Sequence, residues 1–257
     1  MAKGKLYIVL FTTAVCGVFS VIVSVSAVML KPLQDANRKL DQQRNVLMVA
    51  GIIDADTALT AEIADELFRD NVVAKLIVLE TGEVVPDEDP LAYDQQRALS
   101  DPSESVRAPS NPAGIQRLPN KAVVYLIQRD GETAAVVLPV EGKGLWSTLY
   151  GYLALEADLA TIKGITFYAH AETPGLGGEI DNDRWRAQWP GKRLFDDAGR
   201  VVFSVAKGSA GDSPHAVDGL AGATLTANGV THLVQFWLGE HGFGPYLANL
   251  KTEMGGR

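Results

Sequence analysis

The sequence predicts an α+β fold in which one N-terminal transmembrane helix precedes an extracytoplasmic domain, and three observations carry that prediction. An apolar run without a charge occupies residues 6–30. Short strand-like segments cluster between residues 122 and 206, with helical patterns before and after them. Segregated strands and helices argue for α+β over a doubly wound α/β sheet. No second long uncharged apolar run follows, so the remaining chain of about 226 residues reads as one large or two small globular domains. The division expected from sequence is an anchor over 1–31, juxtamembrane helices and irregular chain over 32–120, and a compact domain over 121–257.

As a helix the anchor run measures roughly 37 Å. A bilayer's hydrocarbon core is roughly 30 Å thick, so the run spans it with some tilt. A cleaved signal peptide is the competing reading. The run is too long for a signal peptide's apolar core, and its exit at Met29-Leu30-Lys31 lacks a small-x-small site, although Ala27 with Ser24 or Val25 imitates one. Lys3 and Lys5 precede the run and only Lys31 follows closely, which puts the N-terminus in the cytoplasm. Everything beyond residue 31 then lies outside, in the periplasm of a Gram-negative cell. A single uncharged span offers no ion pathway. Cys16, the one cysteine, sits inside it, so the exterior part has neither disulfide nor thiolate. A net charge of −8 argues against nucleic acid or an anionic lipid surface as partner.

Beyond the anchor, residues 32–51 read as a juxtamembrane helix, polar apart from Leu33, Leu40, Val46, Leu47 and Val49. A second helix is expected over 57–70, capped by Asp56 or Thr57 and apolar at Ala61, Ile63, Ala64, Leu67 and Phe68. Residues 74–85 suggest two strands around Thr81-Gly82. Six prolines punctuate 86–119, which reads as a long surface excursion with at most a short helical turn. A hairpin follows: 122–128, the turn Asp130-Gly131, then 134–140. Further strands are expected over 152–156, 164–169 and 201–206. The segment 226–238 reads as a helix with Val230, Leu233, Val234 and Trp237 on one apolar face.

Three motifs carry chemistry. In Asp218-Gly219-Leu220-Ala221-Gly222-Ala223-Thr224-Leu225-Thr226, small residues crowd one hydroxyl, and a bulky group can approach the backbone there. Thr224 falls at a helix N-terminus, where unpaired N–H groups suit a phosphate. The plain alternative is a polar turn with a threonine cap, and Thr226 reads as that cap, a contribution of about 1 kcal/mol. In Gly142-Lys143-Gly144-Leu145-Trp146, the tryptophan offers a flat surface for a planar ring, or else packs in a core. In Ala171-Glu172-Thr173-Pro174-Gly175-Leu176-Gly177-Gly178, a carboxylate, a hydroxyl, successive backbone N–H groups and an apolar wedge at Leu176 lie together. Loops of that composition are often plain turns.

Taken in order, these motifs and the anchor resemble the C subunit of the sodium-translocating NADH:quinone oxidoreductase of bacteria, a covalent FMN-binding family. The resemblance runs over nearly the whole chain, including Phe236-Trp237-Leu238-Gly239 and Gly242-Phe243-Gly244-Pro245-Tyr246, and is least distinctive over 86–119. It implies FMN joined by a phosphoester to Thr224 within an FMN-binding domain over 121–257. Trp146, Glu172, Thr173, Leu176, Gly177, Asp218, Gly222, Ala223 and Thr226 would surround the cofactor. The family pattern has Ser or Thr where this chain has Ala221, and losing that hydroxyl weakens phosphate contacts. The resemblance also implies a bacterial inner membrane, the other subunits of the complex as partners, and a flavin transferase for maturation. The expected role is electron relay as one subunit of the enzyme, without turnover of its own. The absence of Gly-x-Gly-x-x-Gly fits a subunit that does not itself bind NADH. An Rnf-type electron-transport complex has a similar anchored flavin subunit, and the attachment signature does not separate the two. The long N-terminal region and the tryptophan-containing C-terminal ending favour the sodium pump.

Other classes fare worse. His170, His215, His232 and His241 could serve a hydrolase as bases, but Gly-x-Ser-x-Gly is absent. The histidines are scattered without metal-ligand spacing. No catalytic residue and no metal ligand is expected. A non-redox, membrane-anchored binding domain is the remaining rival.

Overall fold

The computed structural model describes residues 2–255, with side chains from residue 4. The Lys3 side chain, part of the basic flank behind the expected topology, and Arg257 lie outside the described residues. The chain divides into two compact units, Met1–Gln43 and Arg44–Arg257.

The first unit is helical. Helix α1, Ala2–Val49, is 48 residues long and carries Pro32 inside it, and from Arg44 onward it belongs to the second unit. One helix therefore replaces the separate anchor and juxtamembrane helix expected from sequence. A proline removes a single N–H donor and can be carried by a helix this long. Phe11, Phe19, Ile22 and their apolar neighbours are exposed, and by length and composition the helix can cross a membrane.

The second unit is built on a five-stranded antiparallel sheet, in the order β1-β4-β5-β6-β7. Its strands are β1 Val72–Val78, β4 Lys121–Arg129, β5 Glu132–Lys143, β6 Thr148–Glu156 and β7 Ile162–Ala169. The sheet takes strands from both sides of residue 120. The β4–β5 hairpin turns through Asp130 (φ 54°) and Gly131 (φ 83°), the doubly left-handed turn that an Asp-Gly pair favours. Alternate residues go to opposite faces. One face sends Val124, Leu126, Val136, Leu138 and Leu153 into the larger core, with Trp189, Phe203 and helix α5, Thr224–Trp237. The other sends Val123, Tyr125, Ile127 and Tyr152 against Val46, Leu47 and Val49, from the end of α1, and Phe68 of α2, Ala61–Asn71.

Several boundaries differ from the sequence reading for local reasons. Helix α2 starts at Ala61, because the Thr60 hydroxyl accepts from the N–H of Ile63. Thr57, an expected cap, instead closes a turn with Asp54. Residues 74–85 give the end of β1 and an isolated bridge, Ile77 to Val84, in place of two strands. The stretch 86–119 is more ordered than a surface excursion. It holds α3, Gln95–Ser100, and a small sheet of β2, Ser105–Arg107, with β3, Arg117–Pro119. Ala98, Ala113, Ile115 and Leu118 are buried there, and such tertiary contacts are invisible to a scan for prolines. The short α4, Asp183–Arg186, follows β7. Of the strand expected over 201–206, only β8, Ser204–Val205, forms, parallel to β9, Ala216–Val217.

Helix α5 begins two residues before the expected start and buries Val230, Leu233, Val234 and Trp237 as its periodicity predicts. Trp237 Nε1 donates to the Glu141 carbonyl at 2.6 Å. At Gly229 a Cβ would meet the Lys143 carbonyl oxygen at 2.4 Å, so helix and strand touch backbone to backbone. That crossing fixes where the N-terminus of α5 lies. A last helix, α6 over Gly244–Gly255, was not anticipated; it buries Tyr246, Leu247 and Leu250.

Candidate functional site

Thr224 is the first residue of α5, and its side chain is exposed. Ala223, the cap residue, is buried and supplies no side-chain hydrogen bond to the first turn. The first turn of α5 thus has no side-chain cap on its backbone N–H groups, at the positive end of the helix. Gly222 before it has φ +70°, a left-handed conformation that turns the chain sharply into the helix. A Cβ on Gly222 would come within 3.0 Å of Leu176 Cδ2, so the wedge of the 171–178 loop lies over this turn.

Glu172 draws the three motifs together. It is buried, and its Oε1 accepts from the backbone N–H of Trp146 at 2.9 Å and of Ser147 at 3.3 Å. Its Oε2 accepts from the Thr226 hydroxyl at 2.6 Å. A Cβ on Gly177 would sit 2.6 Å from both Glu172 Oε2 and Thr226 Oγ1, so only a bare backbone fits beside this pair. Burial raises the carboxyl's pKa. The bonds from Thr226, Trp146, Ser147 and Leu145 outweigh burial and hold it below the usual carboxylate range.

These contacts change two roles. Thr226 is not the cap of α5: it is fully buried and bonded to Glu172. A cap must precede the first helical residue, and the helix starts at Thr224. Glu172 is a clamp between loops, its oxygens engaged by the protein's own donors. Asp218 is likewise occupied, its Oδ1 accepting from Ser209 Oγ and Ala210 N at 3.0 and 2.7 Å. Its backbone bonds to Gln188 and Trp185 complete a turn organiser.

Three large apolar side chains face outward. Trp146 is 70% exposed, Leu225 61% and Leu176 44%. The core-packing alternative for Trp146 is thereby ruled out. Thr173 is exposed beside them, while Gly177 and Ala223 form the buried floor. Exposed large apolar side chains of this size are the mark of a surface that another group covers. The arrangement suits a phosphate at the helix start and a flat ring against Trp146 and Leu176.

The sequence reading missed the supports of this site. Ser147 Oγ accepts from Ala171 N at 2.7 Å, joining the tryptophan loop to the 171–178 loop. His170 Nδ1 accepts from Glu172 N at 3.2 Å, which leaves the ring proton on Nε2, 2.8 Å from Asp181. Neither contact has a signal in residue spacing. Leu225 and Leu145 had one, as apolar residues flanking the motifs.

Comparison with known proteins locates these features in a family. The model of an FMN-binding domain matches residues 144–239, a span that contains every residue of the candidate site. The C subunit of the Na(+)-translocating NADH-quinone reductase of Pseudomonas aeruginosa is 46% identical over 248 residues, covering 94% of each chain. Its counterpart from Vibrio anguillarum is 45% identical over 252 residues, covering 97% of this chain and 95% of that one. The crystal structure of Shewanella oneidensis NqrC superposes with a TM-score of 0.77 at 37% identity, covering 84% of this chain and 99% of that one.

Proposed function

We propose, from the premise that this chain belongs to the NqrC family of Na(+)-translocating NADH-quinone reductase subunits, that its FMN is held by a phosphoester to Thr224. The chain is a flavoprotein electron-transfer subunit of that reductase and works as one part of the oxidoreductase. Relatives matched over nearly the full length disfavour the Rnf-type alternative. The FMN-binding match disfavours a non-redox binding domain.

The setting of Thr224 carries the attachment reading: an exposed hydroxyl at the start of α5, entered through a left-handed glycine and left without a side-chain cap. Bound there, FMN supplies one- and two-electron redox chemistry. The residues do the rest. Gly222 and Ala223 leave room for a flavin transferase to reach the hydroxyl, and the first turn of α5 offers donors to the phosphate. Trp146 and Leu176 would hold the ring against their exposed apolar surfaces and keep water from it, and Thr173 and the Gly177 backbone would offer it polar contacts. Glu172 and Thr226 fix the loops that present these groups, and Asp218 holds the turn before them. We place the flavin-binding part in 121–257 and the membrane anchor in 1–31, with 32–120 lending β1 to the sheet that carries the site.

The test is direct. Full-length protein made with its transferase should fluoresce under ultraviolet light on a denaturing gel, because only covalent flavin survives denaturation. Peptide mass spectrometry should place one flavin phosphate on Thr224. No label, or label on Thr226, would overturn the assignment.

Trp146→Ala is expected to leave flavin attached and shift its absorption or its potential. Because the side chain is exposed, the fold should lose less than about 0.5 kcal/mol. An unchanged spectrum and potential would remove Trp146 from the ring's surroundings.

We infer a bacterial inner-membrane location, with the N-terminus in the cytoplasm, the domain in the periplasm, and the other subunits of the complex around it. The short basic flank at Lys3 and Lys5 supports this orientation. A reporter active only outside the cytoplasm, fused after Arg257, should work. Activity of a cytoplasm-only reporter at that point would reverse the topology.

A further inference from the structure

The face of the sheet that packs on α2 carries a ladder of aromatic rings. Phe68 meets Tyr125 at 6.0 Å between centroids, Tyr125 meets Tyr152 at 6.1 Å, Tyr152 meets Tyr168 at 5.2 Å, and Tyr168 meets Tyr150 at 6.2 Å. The ladder is buried at its α2 end and opens at the sheet edge, where Tyr168 is 45% exposed. Glu141 of β5 is the direct cross-strand partner of Tyr150. Its side chain lies on the same face and accepts from Gln96 Nε2 at 2.9 Å. No cation pairs with Glu141 among the described residues. Burial pushes its carboxyl up. Burial, and then Glu141 itself, push the Tyr168 phenol up as well.

A half-buried carboxylate without a counter-ion is costly, and the cost is relieved when a cation arrives. Tyrosine faces attract the same cation through the ring quadrupole. The adjoining chain strengthens the preference. Residues 86–104, which include α3 and Gln96, carry Asp87, Glu88, Asp89, Asp94, Asp101 and Glu104 against Arg97, and of these Glu88 is paired with Lys121 of β4. A negative surface of this kind steers a basic partner towards it.

We propose that this face docks a basic segment of a neighbouring subunit of the same reductase, with a lysine or arginine seated on Tyr150 and Tyr168 against Glu141. The proposal rests on the reading of the chain as one subunit of a complex, and not on the flavin linkage. Tyr150 lies four residues from Trp146, no more than about 14 Å of extended chain. A subunit docked here would therefore stand beside the loop that carries the tryptophan.

The test uses the assembled complex with two variants, Glu141→Gln and the double change Tyr150→Ala with Tyr168→Ala. Three quantities are read: co-purification with the other subunits as salt is raised, flavin fluorescence on a denaturing gel, and the melting temperature of the full chain. Glu141→Gln keeps the side chain's shape, so it should keep the flavin and melt no lower than wild type. Its affinity for the other subunits should fall about tenfold or more, since truncating one partner of a buried charge pair acts mainly on dissociation. The double variant should also be released at lower salt while keeping its flavin. Wild-type retention of both variants across the salt series would overturn the docking proposal. Absence of flavin from the wild-type chain would instead overturn the Thr224 reading and leave the retention result standing.

Discussion

Thr224→Val is expected to abolish covalent flavin while the domain stays folded. Valine keeps the branched shape and removes the oxygen that would carry the phosphate. Thr224 is exposed at the first position of α5, so a surface change there should cost the fold no more than about 0.5 kcal/mol. Gel fluorescence should vanish, and circular dichroism and melting temperature should not move. Thr224→Ser restores a hydroxyl and should restore part of the label. The contrast is Thr226, two residues on. Thr226→Ala removes the donor to Glu172 Oε2 from a fully buried position, and such losses cost about 1–3 kcal/mol. The flavin should remain on Thr224 in that variant, with stability clearly lowered. Fluorescent Thr224→Val protein would show that another side chain carries the label.

The second large effect is expected at Glu172. Glu172→Ala removes the acceptor for the Thr226 hydroxyl and for the N–H groups of Trp146 and Ser147 at one stroke. Several buried donors lose their partner together, which should cost about 3–5 kcal/mol. For a domain of this size that lowers the melting temperature by about 10 °C. The loop bearing Trp146 would also come free, so flavin loading should fall even though Thr224 is intact. Glu172→Gln keeps an oxygen for the two N–H groups and can turn its amide towards Thr226, so it should cost much less. The pH dependence follows from the direction of the shift. The carboxyl is held below its unfolded value, so the folded state binds fewer protons. Its contribution is complete above about 4.5 and is lost as the pH falls through the folded value. Acid unfolding of Glu172→Gln should therefore begin from a lower stability and depend less on pH below 4.5 than that of wild type. Equal melting temperatures for Glu172→Ala and wild type would refute the clamp.

Much of this protein was legible in its sequence, for reasons that are local. An uncharged apolar run, an Asp-Gly hairpin turn and the 3.6-residue spacing of Val230, Leu233, Val234 and Trp237 each specify their element through neighbouring residues. The crowding of small residues before Thr224 is of the same kind, since access to a backbone depends on the side chains immediately beside it. Signals failed where an element is defined by distant contacts. Nothing between residues 86 and 119 announces that Ala98, Ala113 and Leu118 reach a core. The crossing of α5 on β5, where Gly229 meets the Lys143 carbonyl, likewise joins residues far apart in the chain.

By itself, then, the sequence determined the long apolar N-terminal helix, the α+β class, the family and the candidate attachment residue. Only the tertiary structure decided what the polar groups around that residue do. Glu172 and Thr226 stand 54 positions apart, and Glu172 and Trp146 26 apart. A carboxylate engages whichever donors the fold brings within about 3 Å, and no spacing rule encodes that distance. Folding therefore joined Glu172 and Thr226 in a clamp between the loops of the candidate site, and left Trp146 and Leu176 facing outward.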